Sequence, residues 1–315
     1  MASNELAVVI SVYNGANFLL RQLESILDEH QDIVFYIRDD GSTDNSERLI
    51  LSFFRDKTNV VHYYSSDGRS LGAAKSFWYL LQQVREPYIF LSDQDDVWSK
   101  GRVASLMAKL GEVEKGAGGI APSLVFSDVA VVSEDLGPIS ESFWKFQKAF
   151  PAGKLTLNRL LVQNYAPGCS MVFNKALIDG IKYFPDEAIM HDWYLVIACA
   201  ALGKVGYIND STLLYRQHSY NSIGASKFSL FSYLREPKKL LLLKSTLSKT
   251  RYQANSIESS LVNCPAHHRP TFRGYEDLFG HSTLRILISF FRYRFFKSNI
   301  PRTVSMLLIL IFLRS

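Results

Sequence analysis

The sequence predicts an α/β protein built on a mostly parallel central sheet with helices on both faces. Across the first two hundred residues short apolar runs alternate with stretches of helical periodicity, and polar or acidic residues gather directly after the apolar runs. Strand-helix-strand crossovers require that alternation, and sheets of this type bind ligands at the carboxyl ends of their strands. Charge is a third observation. Residues 225–315 hold fifteen Lys/Arg against four Asp/Glu, whereas residues 1–224 hold twenty against twenty-six. A mildly acidic body and a strongly basic last third suggest two jobs in one chain, divided as residues 1–224 and 225–315.

The elements follow in order. Leu6–Tyr13 reads as a buried strand, and Phe18–Leu27 as a helix with Phe18, Leu19, Leu23, Ile26 and Leu27 on its apolar side. Ile33–Ile37 is the second strand and ends at Arg38-Asp39-Asp40-Gly41. Ser42 or Thr43 is expected to cap a helix around Glu47–Phe54, because a short hydroxyl side chain can accept from the free N–H groups of a first turn. Val60–Tyr64 is the third strand, Leu71–Val84 a helix, Tyr88–Leu91 the fourth strand, Lys100–Leu110 a helix and Leu124–Val132 a further strand. A chain of 315 residues can bury a sizeable core, and 47% apolar residues exclude a disordered protein. Cys169, Cys199 and Cys264 are far apart and form no CxxC pair. All three read as reduced structural residues of a reducing compartment, Cys169 and Cys199 in apolar surroundings. No basic segment followed by an apolar one precedes Leu6, so no secretory signal is expected.

The fourth strand runs into Ser92-Asp93-Gln94-Asp95-Asp96-Val97-Trp98, with three carboxylates in four residues. Like charges at a strand end repel, and each loses hydration when partly buried. A hard divalent cation removes both costs and can hold a diphosphate. A solvated acidic turn is the plainer alternative. Asp39 and Asp40 can accept from a pyrimidine N3–H and from ribose hydroxyls, and Gly41 permits the tight turn. Ser11-Val12-Tyr13-Asn14-Gly15 is either a simple strand-to-helix turn or a backbone cradle with Tyr13 against a base. Neither GxGxxG nor GxxxxGKS/T occurs, so phosphate is expected to be held through metal rather than by a glycine loop.

Further on, Met190-His191-Asp192-Trp193-Tyr194 opens an apolar helix, Leu195–Leu202. The helix dipole stabilises an acid there. A carboxylate beside a His and a Trp is equally what a general base for an acceptor hydroxyl looks like. Upstream, residues 164–173 read as a loop entering a strand, in which Gly168 lets a ligand approach the backbone. Tyr215-Arg216-Gln217-His218 follows the strand-like Thr212–Leu214. Arg216 and His218 can reach a diphosphate, or a metal in the case of His218; otherwise they are surface residues.

Taken in order, the strand with its SxYN turn, the DDGSTD, the SDQDD and the HDW at a helix start resemble the family-2 glycosyltransferases of GT-A fold, over roughly residues 5–222. The wording of residues 91–98, with Tyr215-Arg216-Gln217-His218 and Asn221, is similar to bacterial rhamnosyltransferases of cell-surface polysaccharide assembly, O-antigen included. The resemblance implies a GT-A type nucleotide-sugar-binding fold and places Asp39 and Asp40 at the nucleoside. Asp93 and Asp95 fall on the DxD pair, with Asp95 as the direct ligand of Mn²⁺ or Mg²⁺. His218, with Arg216, falls at the diphosphate or the metal, and Asp192 at the catalytic base. Ser11, Tyr13, Asn14, Gly72, Lys75 and Gln94 complete the expected donor site; Gly168, His191 and Trp193 form the expected acceptor side. Asp96 is left as an acid that supports the metal ligands from behind or is structural. The resemblance further implies one displacement with inversion. The best-matching donor is dTDP-β-L-rhamnose, which would give an α-L-rhamnoside; a UDP-sugar is the alternative. The chain departs from the family in having His-Asp rather than Glu-Asp at the base, which leaves the role of His191 open. The QxxRW signature of processive synthases is absent, so one sugar per encounter, or a short run, is expected.

The basic third has two readings. Phe228–Leu234, Leu240–Leu243 and Leu284–Phe296 mix apolar and aromatic residues with Arg235, Lys238, Lys239, Arg285, Arg292, Arg294 and Lys297. Val304–Leu313 is uncharged over ten residues, too short for a membrane span, which takes about 20. Such segments can lie on an anionic membrane surface, or form a helical subdomain that packs on the sheet domain or on a second subunit. The membrane reading suits a lipid-linked oligosaccharide acceptor and a cytoplasmic enzyme, peripheral on the inner face of the bacterial cytoplasmic membrane. Beyond charge, nothing supports nucleic-acid binding. A sugar-1-phosphate nucleotidyltransferase would need a basic glycine-rich N-terminal loop, and Asn14-Gly15-Ala16-Asn17 has no Arg or Lys. A non-catalytic nucleotide-sugar-binding module would be expected to lose the base or the metal acid, yet Asp192 and Asp95 are both present.

Overall fold

The computed structural model describes residues 5–117, 121–218 and 237–312, with side chains of the last segment from residue 244 onward. The 224/225 division, Asn221, the run 228–234 with Arg235, Leu313 and the side chains of Lys238, Lys239 and residues 240–243 lie outside the described residues.

Alternation governs the first half. β1 (Leu6–Val12), α1 (Leu19–Glu29), β2 (Val34–Asp39), α2 (Ser46–Phe54), β3 (Val61–Tyr64), α3 (Ala73–Leu81) and β4 (Tyr88–Ser92) follow one another. After β5 (Val97–Trp98) come α4 (Arg102–Ala117), β6 (Ser123–Val132), β7 (Pro138–Ser140), α5 (Phe143–Gln147) and α6 (Leu157–Val162). A 3₁₀ turn over Gly168–Ser170 leads into β8 (Met171–Asn174), α7 (Lys175–Asp179), α8 (His191–Leu202) and β9 (Lys204–Arg216). The last described segment is helical: α9 (Pro237–Ser260), α10 (Arg269–Asp277), α11 (Thr283–Arg292) and α12 (Ile300–Phe312).

The strands form one sheet in the order β3-β2-β1-β4-β8-β6-β9-β5, with β7 on β6. Pairing is parallel for β3/β2, β2/β1, β1/β4 and β6/β9, and antiparallel for β4/β8, β8/β6, β9/β5 and β6/β7. β8, β5 and β7 therefore run against the other strands of a mostly parallel sheet. β1 pairs in parallel with both β2 and β4, with Val12 opposite Asp39 and Ile10 opposite Ser92. Three strand ends that carry polar residues are thus brought side by side.

Strand pleating splits the core into two layers. Ala7, Val9, Tyr36, Ile89 and Leu91 face α3, α6 and α8, while Val8, Ile10, Phe35, Ile37 and Phe90 face α1 and α4. Each such large side chain contributes about 1.5–3 kcal/mol on burial. Leu247, Ala254 and Ile257 of α9, Phe272 and Tyr275 of α10, Ile286 and Phe290 of α11, and Met306, Ile309 and Leu310 of α12 join the first of these layers. The described C-terminal helices therefore pack on the sheet body, as one of the two readings of the basic third expects. No helix among the described residues is long and apolar enough to cross a membrane.

Two local expectations need correction and a third needs an addition. α2 begins at Ser46 and is not capped by Ser42 or Thr43; the Asp44 carboxylate accepts from Ser46 N at 3.0 Å, while the Ser42 hydroxyl is taken by Asn14 N at 2.9 Å. α3 starts at Ala73 rather than Leu71 because Asp40 accepts from the N–H groups of Leu71 and Gly72, both at 2.8 Å, and pins that stretch as a loop. Cys169 is buried in a small apolar cluster with Val129 and Leu213, as expected, but its sulfur also lies beside the acids Asp93 and Asp96.

Candidate active site

The three strand ends and the start of α8 enclose a cleft of about 670 Å³. Of the expected residues, Ser11, Tyr13, Asp40, Gly72, Asp93, Gln94, Asp95, Gly168, His191, Asp192 and Trp193 line it. Asn14, Asp39, Lys75, Arg216 and His218 stand behind or beside that lining. Asn14, in the left-handed region at φ 50°, accepts from Thr43 N at 2.8 Å and so fixes the β1 turn against the β2 turn. Lys75 forms an exposed ion pair with Asp186 at 2.6 Å.

The two acids after β2 do different work. Asp39 Oδ1 accepts from Gly41 N at 2.9 Å and Ser42 N at 2.6 Å, and its buried Oδ2 has no hydrogen-bond partner among the described residues. Both Asp40 oxygens are taken, by Arg38, Leu71 N, Gly72 N and the Ser70 hydroxyl. Burial pushes the Asp40 carboxyl up, but these donors outweigh it and hold the group below its ordinary value. Gln94 clamps the β1 turn: Tyr13 N donates to its Oε1 at 2.8 Å, and its Nε2 donates to Tyr13 O at 3.0 Å.

The acid turn after β4 is divided in the same way. Asp95 Oδ2 lies 2.7 Å from His218 Nε2, and that imidazole stacks on Phe18 with ring centroids 4.7 Å apart. Ligand atoms of Asp93, Asp96 and Cys169 all fall within 4.8 Å of one another. Asp96 is fully buried; Oδ1 accepts from Arg216 N at 3.1 Å, and Oδ2 has no hydrogen-bond partner among the described residues. Burial first, then Asp95 and Asp192, pushes the Asp93 carboxyl up to about 7. Burial, with Asp95 and Asp93, raises Asp96 well above the carboxylate range. The residues fit a divalent cation: the Asp93 and Asp96 carboxylates crowd the Cys169 sulfur, the His218–Asp95 pair lies beside them, and so many acids need a counter-charge. Arg216 braces the turn from behind. Its Nε donates to Asp95 O at 2.8 Å, Nη1 donates to Glu134 O, and the guanidinium lies over Phe18 at 4.9 Å.

On the opposite wall, Asp192 sits in the first turn of α8. Its Oδ1 accepts from Trp193 N at 2.5 Å, and its Oδ2 from Asn164 Nδ2 at 3.3 Å. Burial still outweighs these donors and lifts its carboxyl to about 6. His191 is buried and stacked on Phe77 at 4.0 Å, both ring nitrogens lacking partners among the described residues. Burial lowers its pKa to about 3, so the ring is neutral. Trp193 is fixed by Nε1 donating to Leu160 O at 2.7 Å. Asn164, Phe77 and the buried Arg102, whose Nη2 donates to Cys169 O at 2.5 Å, are site residues the sequence reading did not single out. Asn164 alone carried a local signal, an amide shortly before a Pro-Gly turn.

Gly168 is a steric requirement. A Cβ there would lie 2.9 Å from His191 Nε2 and 3.4 Å from Asp192 Cβ. Gly168→Ala is therefore expected to displace His191 and Asp192 and lower kcat by about 10–100-fold, measured as initial rates of donor consumption. An unchanged rate would show that the wall yields.

Comparison with known proteins gives consistent results. The family model described as Glycosyl transferase family 2 matches residues 7–179. The dTDP-rhamnosyl transferase RfbG of Shigella flexneri is 26% identical over 315 residues, covering 96% of this chain and 100% of that protein. Glycosyltransferase GlyG of Streptococcus pneumoniae serotype 4 is 26% identical over 247 residues, covering 72% and 75%. Among solved structures, S. aureus TarS 1–349 in complex with UDP-GlcNAc superposes with a TM-score of 0.55 at 15% identity, covering 97% of this chain and 90% of that one. The mannosyltransferase PcManGT from Pyrobaculum calidifontis, in complex with GDP-Man and Mn²⁺, gives 0.56 at 11% identity, covering 90% and 72%. At such identities the structural likeness speaks for the fold.

Proposed function

The chain belongs to glycosyl transferase family 2, and on that premise we propose that it catalyses inverting, metal-dependent, non-processive transfer of L-rhamnose from dTDP-β-L-rhamnose to a hydroxyl of a lipid-linked glycan in surface-polysaccharide assembly. In this reading it works in the cytoplasm, on the inner face of the cytoplasmic membrane. The observation that carries the transfer step is Asp192. This carboxylate is placed on the cleft wall by a helix start, held by two donors and lifted to about 6. Such a group is anionic at neutral pH yet basic enough to take a proton. The name and nearly complete two-way coverage of RfbG support rhamnose.

Asp93, Asp95 and His218 would hold Mn²⁺ or Mg²⁺, which supplies charge neutralisation at the leaving nucleoside diphosphate. The protein's own residues do the rest. Asp39 fixes the β2 turn at the edge where the nucleoside would bind, through Gly41 N and Ser42 N. Gln94 holds Tyr13 at the cleft edge. Asp192 takes the proton of the acceptor hydroxyl as that oxygen attacks the anomeric carbon from the face opposite the diphosphate. One carboxylate suffices for this single displacement, unlike the nucleophile and acid pair of retaining hydrolases.

The pH dependence has a definite sign. Only deprotonated Asp192 is active, so the rate falls as pH drops through about 6, by about tenfold per unit on the acid limb. A cation beside Asp93 moves that limb lower without reversing it. His191, held to about 3 by burial, adds no limb near neutrality. A rate that rises toward acid, measured in saturating donor, would remove Asp192 as the base.

A donor panel tests the function. With Mn²⁺ or Mg²⁺ present, nucleoside diphosphate release is compared for dTDP-β-L-rhamnose, UDP-GlcNAc, UDP-galactose and GDP-mannose. Preference for dTDP-rhamnose is expected. Preference for a UDP-sugar replaces the donor and keeps the reaction; tight donor binding without turnover points to a binding module.

A further inference from the structure

α11 and α12 each have two apolar faces. Ile286 and Phe290 of α11, and Met306, Ile309 and Leu310 of α12, are buried in the main core. On their outer sides Leu284, Ile288 and Phe291 of α11 are exposed, as are Ile300, Val304, Leu308 and Phe312 of α12. Their spacings of three and four residues place each set along one side of its helix. Ile300 is 79% exposed and Phe312 75%. Two consecutive helices with outward apolar rows make an interaction surface rather than scattered exposure.

Charge selects the partner. Residues 281–312 contain five Lys/Arg and no Asp/Glu, and Arg285, Arg292 and Arg294 are exposed beside the apolar rows. A second copy of the same face would oppose cation to cation, which disfavours self-association. An apolar face rimmed by arginines matches the headgroups and upper acyl chains of an anionic bilayer.

The same segment is tied to the base side of the cleft. Arg302 Nη2 donates to Gln147 O at 2.6 Å, and Asn299 Nδ2 donates to Lys148 O at 2.7 Å. Ser298 N donates to Gln163 Oε1 at 2.9 Å, and Gln163 Nε2 returns a bond to Ser298 Oγ at 3.2 Å. Gln147 lines the cleft, and Asn164, next to Gln163, holds Asp192. We propose that the outer α11–α12 face docks on an anionic lipid surface and sets the Gln147–Asn164 side of the cleft beside it. The acceptor glycan then enters from the membrane while its lipid stays in the bilayer; this second half rests on the lipid-linked acceptor proposed above, and the docking does not.

The test uses the full chain and two kinds of vesicle. Wild type is expected to co-sediment with phosphatidylglycerol vesicles and not with phosphatidylcholine vesicles. The combined variant Ile288→Glu, Phe291→Glu and Leu308→Glu is expected to bind phosphatidylglycerol at least about tenfold more weakly, with its unfolding midpoint and its donor consumption in solution unchanged. Equal binding by variant and wild type overturns the docking face. So does a wild-type dimer that the variant dissolves without any change in vesicle binding, since the face then belongs to a second copy. Absence of donor consumption in wild type would instead defeat the transferase reading and leave the vesicle result standing.

Discussion

Asp192→Asn is expected to lower kcat by about 10²–10⁴-fold, the usual contribution of a positioned general base, with donor affinity within a few-fold of wild type. The substitution keeps the shape of the side chain and removes its basicity. It also keeps only one of two contacts, because Trp193 N and Asn164 Nδ2 both donate to the carboxylate and an amide offers one acceptor oxygen. The remaining amide nitrogen would face a donor or turn into the cleft, a local cost that leaves Asp39 and Asp93 untouched on the other wall. Calorimetric titration with the donor nucleotide separates the two effects. Retained binding with lost transfer assigns Asp192 to the chemical step, whereas an unchanged kcat removes it as the base.

Much of this arrangement was legible because the strand-end half of the cleft is local. β1, β2 and β4 are short, apolar and separated by amphipathic helices, so their polar ends announce a shared edge before any pairing is known. What was not legible depends on partners distant in the chain. β8 lies antiparallel between β4 and β6, and no pattern within Met171–Asn174 specifies those neighbours. Only Thr212–Leu214 read as strand, although β9 runs from Lys204 to Arg216. Gly206, Asn209 and Asp210 break its apolar run, and the pairing with β6 shifts register around Asp128. Asp93, Asp95 and Asp96 look alike in sequence. The fold separates them by giving Asp95 to His218 and burying Asp96 near Cys169. Composition likewise left the basic third undecided between membrane and packing, because its helices bury one apolar side and expose another.

Arg102→Met is expected to destabilise the protein by about 3–5 kcal/mol, the cost of two lost buried hydrogen bonds from a charged group at about 1.5–3 kcal/mol each, which in a chain of this size lowers the unfolding midpoint by roughly 5–8 °C. Arg102 opens α4 and is fully buried behind the acid turn. Its Nη1 donates to Thr212 Oγ1 and its Nη2 to Cys169 O, each at 2.5 Å, and the guanidinium lies 4.7 Å from the Trp98 ring centre. Burial pulls its pKa down to about 10, with nearby Cys169, Asp96 and Glu29 opposing the shift, so it stays cationic at neutral pH. One planar fork thereby joins α4, β9 and the 3₁₀ turn before β8 while offering a fixed positive charge to Asp96. Methionine keeps the bulk but strands the Cys169 carbonyl and leaves Asp96 without that charge. Arg102→Lys restores the charge but not the fork, so it should recover only part of the loss. Activity separates scaffold from site. The turn that Arg102 anchors carries Gly168 against Asp192, so kcat of the Met variant, assayed well below its midpoint, should fall while donor affinity stays near wild type. A Met variant with wild-type midpoint and kcat would mean that neither the turn nor the acid cluster depends on this cation.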